Sequence, residues 1–134
     1  MVAEARSVDM LLAAARAEIR RYSVLDAFER THAGALLVDI RPAAQRAQFG
    51  TVPGALIIER NVLEWRLDPS CDHRIPEATG HDRNVIILCQ EGYASSFAAA
   101  SLRALGYETA GDVIGGFAAW QRAGLPTEPA APHG

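Results

Sequence analysis

The chain has 134 residues and a mass of 14.4 kDa, the size of one domain. With 49% hydrophobic and 22% charged residues, its composition is typical of a globular protein rather than of a disordered or repeat chain. The net charge is -3 and the 13 basic residues, all arginines, are scattered, which argues against a nucleic-acid partner. Because lysine is absent, Schiff-base and P-loop chemistry are excluded.

The cysteine content and the apolar runs predict a cytoplasmic protein. Cys71 and Cys89 are too few for a disulfide scaffold, and neither has metal-ligand spacing with a histidine. We therefore expect a reducing compartment and no metal site. The apolar runs fall short of the roughly 20 residues that span a bilayer, and the N-terminus lacks a basic leader, so no membrane partner is expected.

Two helices are predicted at the start of the chain. Ser7 caps the first, whose apolar residues recur at the spacing of one helical face, and Ser23 caps the second, which ends near Gly34. We expect a simple bend between them. We divide the chain into an N-terminal amphipathic helix over residues 1–18, a domain over 19–126 and a disordered tail over 127–134. The first helix is expected to pack on its own domain.

Apolar runs then alternate with helical segments. Residues 35–40, 55–58 and 84–89 are short and rich in β-forming side chains, and residues 107–113 form a weaker strand. Strands that alternate with helices pair in parallel, so the predicted fold is α/β: a small open, mainly parallel sheet with helices on both faces. Ligands bind beyond the carboxyl ends of such strands.

Cys89 lies where the most β-like run ends, before a loop that leads into a helix predicted to begin at Ser95 or Ser96. Backbone N–H groups of the loop and the positive end of the helix dipole favour an anion there, so we expect a thiolate. Gly92 allows the positive φ of a tight cradle. A small buried hydrophobe at a strand end is the alternative for Cys89. The candidate substrate-binding residues are Gln90, Glu91, Gly92, Tyr93, Ala94 and Ser95.

Four sequence motifs resemble the rhodanese-like sulfurtransferase domain. Residues 38–41 are similar to its Asp-x-Arg strand end, and residues 50–55 to its Gly-His-Ile-Pro-Gly-Ala turn. Residues 85–95 resemble its strand and Cys-x-x-Gly-x-Arg-Ser loop, and residues 115–126 match its closing Gly-Gly, Trp and Gly-Leu-Pro pattern. The four motifs occur in order from about Ile19 to Pro126, so the resemblance implies the rhodanese-like fold.

The resemblance implies a sulfurtransferase in which Cys89 takes sulfane sulfur from a donor, becomes a persulfide and passes the outer sulfur to a nucleophile. The donor would be thiosulfate, another small molecule or a protein-borne persulfide, and the acceptor a thiol or other nucleophile. No cofactor is needed, and the oligomeric state stays open. The alternative is a non-catalytic or sulfur-relay module that binds a partner protein. A phosphatase would require arginine at position 95, where this chain has Ser95.

The sequence departs from the family pattern at the turn and in the loop. Ala94 replaces the loop arginine, Thr51 replaces the turn histidine, and Glu91 adds a carboxylate. These changes weaken attraction for the thiosulfate dianion and favour a neutral or protein-borne donor. Arg60 either returns positive charge to the pocket mouth or lies on a solvated helical face. We expect Asp39 and Arg41 to form a structural ion pair that supports the site. Cys71 is either incidental or a resolving thiol for Cys89.

Overall fold

The computed structural model describes residues 4–131 and contains one sheet of five parallel strands, in the order β1-β5-β4-β2-β3. The strands are β1 (Arg20–Tyr22), β2 (Leu36–Asp39), β3 (Leu56–Ile57), β4 (Val85–Leu88) and β5 (Gly111–Val113). The helices are α1 (Val8–Ala17), α2 (Val24–His32), α3 (Ala43–Phe49), α4 (Leu63–Leu67), α5 (Ala94–Leu105) and α6 (Gly116–Arg122), with a 3-10 helix at Arg60–Val62. The predicted α/β fold with an open parallel sheet is confirmed.

The sheet separates two apolar clusters, because successive strand residues point to opposite faces. Every residue of β2 and β4 is buried, as expected for central strands of a parallel sheet. On one face, Val85 and Ile87 belong to a cluster that includes Leu102 of α5. On the other face, Ile86 belongs to a cluster that includes Trp120 of α6. Helices therefore cover both faces and leave the carboxyl ends of the strands available for a site.

Both predicted N-caps are present at the start of the chain. The hydroxyl oxygens of Ser7 and Ser23 accept hydrogen bonds from the amides of Met10 and Asp26. Helix α1 packs against α5, so the expectation that it packs on its own domain is confirmed.

The prediction of a simple bend between the first two helices is wrong. Arg20–Tyr22 forms the edge strand β1, which pairs with β5. The strand has three residues and a single apolar side chain, Tyr22, so no alternation marks it in the sequence. Pairing with β5 specifies it, and this partner lies far along the chain.

Helix α5 begins at Ala94, one residue before the earlier of its two predicted starts. Tyr93 holds the N-cap position without a side-chain hydrogen bond, whereas Ser95 and Ser96 lie inside the helix and are buried. The two serines do not cap the helix because their hydroxyls bind Asp112 of β5.

The C-terminal segment returns to the domain at Glu128, which pairs with Thr51 through two backbone hydrogen bonds. Residues 1–3 of the predicted helix and residues 132–134 of the predicted tail lie outside the described residues. The division at residues 18, 126 and 127 stays a prediction. Within residues 4–131, every helix is too short or too polar to cross a membrane.

Candidate active site at the end of the central strand

Cys89 directly follows β4, the middle strand of the sheet, and its side chain is nearly buried at 6% exposure. The amides of Gly92 and Ser95 donate hydrogen bonds to its Sγ, at 3.2 and 3.3 Å. The Ser95 Oγ lies 3.1 Å from the same sulfur. Two backbone donors at the N-terminus of α5 therefore converge on one sulfur atom, an arrangement that stabilises negative charge.

The shape of the loop depends on glycine and on its contacts with α6. Gly92 has a φ of 86°, and a Cβ built on it would lie 2.8 Å from the backbone nitrogen of Gly115, so a larger residue does not fit. The amides of Phe117 and Ala118 donate to the carbonyl oxygens of Cys89 and Gln90, at 2.8 and 3.0 Å. These bonds hold the first loop carbonyls toward α6.

A buried carboxylate, Asp112 of β5, lies behind the loop. Its Oδ2 is 2.7 Å from the Oγ of Ser95 and 2.8 Å from the Oγ of Ser96. Arg21, its register partner on β1, donates from Nε to Oδ1 at 3.0 Å. Asp112 and both serines are fully buried, so the contacts among these three residues are shielded from water. The cluster joins the Cys89 sulfur, through Ser95, to the edge of the sheet.

Arg16 of α1 contacts the same loop. It donates to the carbonyl oxygen of Gly92 at 2.8 Å and to the Oγ of Ser96 at 3.1 Å. Its guanidinium also lies 5.5 Å from the ring centroid of Tyr93. Arg21 donates to the same Gly92 carbonyl at 3.1 Å. Two arginines from the N-terminal elements α1 and β1 therefore support the loop.

The predicted ion pair between Asp39 and Arg41 is present and fully buried, with a shortest distance of 2.8 Å. Arg41 also donates to the Oε1 of Gln90 at 2.9 Å and to the carbonyl oxygen of Gly50 at 2.8 Å. Its guanidinium lies 4.2 Å from the ring centroid of Phe117. Arg41 therefore links the end of β2 to the Cys89 loop, and its charge is committed to these contacts.

A cavity of about 560 Å³ opens beside Cys89 and brings most of the predicted site residues together. Glu91, Tyr93 and Ala94 line it and are exposed. Gly92 and Ser95 are not among its lining residues and are buried behind the loop. The lining residues are Ile40, Arg41, Pro42, Gln45, Arg60, Cys89, Gln90, Glu91, Tyr93 and Ala94.

Arg60 lies in the cavity wall and also pairs with Glu64 at 3.0 Å. Burial alone raises the pKa of Glu64, but hydrogen bonds from Ser101 and Arg60 outweigh it and lower the pKa below its ordinary value. The charge of Arg60 is thus largely balanced by the Glu64 carboxylate.

Cys71 is a free, partly buried cysteine in a different pocket, and it does not line the cavity of Cys89. Among residues 4–131, no group of three or more potential ligands is arranged to hold a metal ion.

Sequence reasoning missed the polar residues behind the loop, namely Arg16, Arg21, Ser96 and Asp112. Asp112 carried a usable signal, since it is a charged residue within a predicted strand whose carboxyl end must lie beside that of β4. The two arginines carried none, because they reach the loop through the unpredicted strand β1 and the packing of α1.

The sequence matches a known protein family. The family model of the Rhodanese-like domain matches residues 23–123. A "Sulfurtransferase" from Allochromatium vinosum is 39% identical over 99 residues, which cover 74% of this chain and 81% of that protein. A solved structure from Rhodopseudomonas palustris, a protein of unknown function and possible tyrosine phosphatase, superposes with a TM-score of 0.83 at 27% identity, covering 96% of this chain and 98% of that one.

Some relatives are much longer than this chain. "Adenylyltransferase and sulfurtransferase MOCS3-1" from Zea mays is 35% identical over 118 residues, which cover 88% of this chain. The matched segment covers only 24% of the maize protein. The likeness therefore concerns one domain of that protein.

Proposed function

Because the chain belongs to the rhodanese-like domain family, we propose that it is a sulfurtransferase that carries sulfane sulfur on Cys89. The observation that carries the proposal is the pair of backbone amides, from Gly92 and Ser95, that donate to the Cys89 sulfur at the end of β4. Such donors stabilise an anionic sulfur before attack, and the loop amides would then hold the charged outer sulfur of a persulfide.

The proposed reaction has two steps. In the first, the Cys89 thiolate attacks the outer sulfur of the donor, a new S–S bond forms at Sγ, and the donor's own bond to that sulfur breaks. The donor leaves with the bonding electron pair, as a thiolate or, from thiosulfate, as sulfite. In the second step a nucleophilic acceptor, such as a thiolate, attacks the outer sulfur and releases the Cys89 thiolate. Atoms and electrons balance without any cofactor.

We propose that a persulfide, on a small molecule or on a protein, is a better donor than thiosulfate. Glu91 places a carboxylate at the cavity, and the loop position that would carry a cation is Ala94. The nearest cavity arginines do not compensate, because Arg41 is bound to Asp39 and Arg60 to Glu64. The electrostatic attraction of the cavity for a dianion such as thiosulfate is therefore weak. A donor with less negative charge is repelled less by Glu91.

A sulfur-relay module that takes sulfur only from a dedicated protein partner is the second candidate. It is favoured by Tyr93, a residue that is 58% exposed and lines the cavity, where a partner surface would contact it. A phosphatase is not favoured, because the arginine that would bind a tetrahedral oxyanion is replaced by Ser95, which is buried against Asp112.

Intact-mass spectrometry under non-reducing conditions tests the proposal directly. Wild-type protein and the Cys89→Ala variant are incubated separately with thiosulfate and with a low-molecular-weight persulfide. We expect wild type to gain the mass of one sulfur atom, faster from the persulfide, and the variant to gain none. A Cys71→Ala variant is the matched control and should load like wild type.

Loading of wild type that persists in Cys89→Ala would contradict the assignment of the nucleophile. Failure of wild type to load from either donor would overturn the general sulfurtransferase and leave the relay module. Faster loading from thiosulfate would show that the donor argument, based on Glu91 and Ala94, is wrong.

A further inference from the structure

We propose that Asp112 is a positioning residue that sets the direction of the hydrogen bond between Ser95 and Cys89. In this arrangement the Ser95 oxygen accepts the thiol proton of Cys89 instead of donating its own proton to the sulfur. Asp112 and Ser95 are both fully buried behind the loop, so each of their contacts must be filled by a proton from one of the neighbouring side chains.

The Ser96 hydroxyl has one proton to donate, and its oxygen can also accept. Arg16 donates from Nε to the Oγ of Ser96 at 3.1 Å, and arginine has no acceptor, so this oxygen must accept. The 2.8 Å contact between Ser96 Oγ and Asp112 Oδ2 then contains the proton of the Ser96 hydroxyl. Asp112 is therefore an acceptor toward α5.

Arg21 makes Asp112 an acceptor from the opposite side as well. It donates from Nε to Oδ1 at 3.0 Å and from its terminal nitrogen to Oδ2 at 3.3 Å. A buried carboxylate with this pairing carries its negative charge and no proton. The 2.7 Å contact between Ser95 Oγ and Asp112 Oδ2 must therefore be filled by the single proton of the Ser95 hydroxyl.

With its proton committed to Asp112, the Ser95 oxygen offers only a lone pair to the sulfur 3.1 Å away. A protonated Cys89 can donate to it, but a thiolate cannot receive a hydrogen bond from it. Asp112 thereby favours the thiol over the bare thiolate. The inner sulfur of a persulfide has no proton either, so only the thiol makes this hydrogen bond. If the proposed function holds, Asp112 opposes the thiolate that the Gly92 and Ser95 amides stabilise, and it thereby limits the fraction of Cys89 that can attack a donor.

Other charged and titratable groups surround the site, and the test must leave them unchanged. They are Arg16 of α1, Arg21 of β1, the Asp39 and Arg41 pair, the Arg60 and Glu64 pair, Glu91 and Tyr93.

The Asp112→Asn variant is expected to reverse the hydrogen bond between Ser95 and Cys89, so that Ser95 donates to the sulfur. Arg21, which only donates, would keep the amide oxygen on its side, so the amide nitrogen would face Ser95 and Ser96 and donate to both. The Ser95 proton would then be free to bind the Cys89 thiolate. We measure the rate of Cys89 alkylation by iodoacetamide against pH, in a Cys71→Ser background. We expect the pH of half-maximal rate to fall by about one unit, a tenfold change in the ionised fraction.

The same substitution in a Ser95→Ala background separates hydrogen-bond direction from charge. Removing a nearby negative charge lowers that pH in either background, so without the Ser95 hydroxyl we expect about half the shift or less. Equal shifts in the two backgrounds, or none in either, would overturn the proposal. Thermal unfolding monitored by circular dichroism checks that each variant is folded.

Ser95→Ala alone is a second test that does not depend on tolerance of change at Asp112. If Ser95 accepts from the thiol, its removal leaves the half-maximal pH unchanged or lower. A rise would mean that Ser95 donates to the thiolate, and the proposal would be wrong. Alkylation requires no sulfur donor, so these outcomes are independent of whether Cys89 loads sulfur in the mass experiment.

Discussion

Arg16, in the last turn of α1, donates a 2.8 Å hydrogen bond to the carbonyl oxygen of Gly92, at the centre of the Cys89 loop. Arg21 donates to the same oxygen from β1. Both arginines bind the carbonyl of Gly92, while the amide of the same residue donates to the Cys89 sulfur. The family match begins at residue 23, so a segment before the matched domain helps to hold the loop.

Replacing Arg16 by alanine should loosen the loop without removing any atom that contacts Cys89. Hydrogen bonds from charged donors contribute about 1.5 to 3 kcal/mol each, so we expect the free energy of unfolding to fall by about 2 kcal/mol. We also expect sulfur loading to slow by about tenfold, which corresponds to about 1.4 kcal/mol in the barrier. Urea unfolding and the loading time course measure the two effects.

Arg20→Ala is the matched control for that experiment. Arg20 is a neighbour of Arg21 on β1, but its side chain is exposed and makes no hydrogen bond to another residue within 4–131. We expect Arg20→Ala to leave both the free energy of unfolding and the rate of sulfur loading close to those of wild type. If Arg16→Ala behaved like Arg20→Ala, α1 would not support the loop in solution.

The central part of the fold could be predicted because its signals are local. The uninterrupted apolar run of β4, followed by Cys89 and a glycine loop, marks a buried strand and the site at its end. Asp39 and Arg41 are two positions apart, so their pairing could also be proposed from sequence. These features depend on residues that are close together in the chain.

The polar cluster behind the loop could not be found in this way. Arg21 and Asp112 are separated by 91 positions, and Arg16 and Gly92 by 76. Their contacts exist only because the short strand β1 pairs with β5 and α1 packs on α5. Ser95 and Ser96 misled the prediction, since serines near a helix start usually cap it, whereas here a buried carboxylate binds both hydroxyls.

Glu64 gives a pH-dependent prediction. Burial raises its pKa, but the hydrogen bonds from Ser101 and Arg60 lower the pKa by more than burial raises it. The pKa in the folded protein therefore lies below the ordinary 4.5. The unfolded chain therefore binds the proton more readily, and stability from the carboxylate is present above 4.5 and is lost as the pH falls through the folded pKa. We expect Glu64→Gln to lower the free energy of unfolding by about 1 kcal/mol at pH 7.

This difference between wild type and Glu64→Gln should shrink as urea unfolding is repeated at lower pH, and it should vanish once the carboxyl group is protonated in both states. Ser101→Ala, which removes one donor and keeps the carboxylate, should reproduce part of the loss with the same pH trend. A difference that stays constant down to acidic pH would assign the effect to packing rather than to charge.

The choice of donor is tested by adding a cation to the loop. Ala94 is exposed and lines the Cys89 cavity beside Glu91, so Ala94→Arg places a guanidinium where an anionic donor enters. We expect loading from thiosulfate to rise by about tenfold at low salt, and the gain to fall as ionic strength shortens the Debye length to about 8 Å at 0.15 M. Loading from a neutral persulfide should change little. Ala94→Gln adds similar bulk without charge and should leave the thiosulfate rate near that of wild type. An equal gain from Ala94→Gln, or a gain that resists salt, would show that Ala94 limits the donor by shape and not by charge.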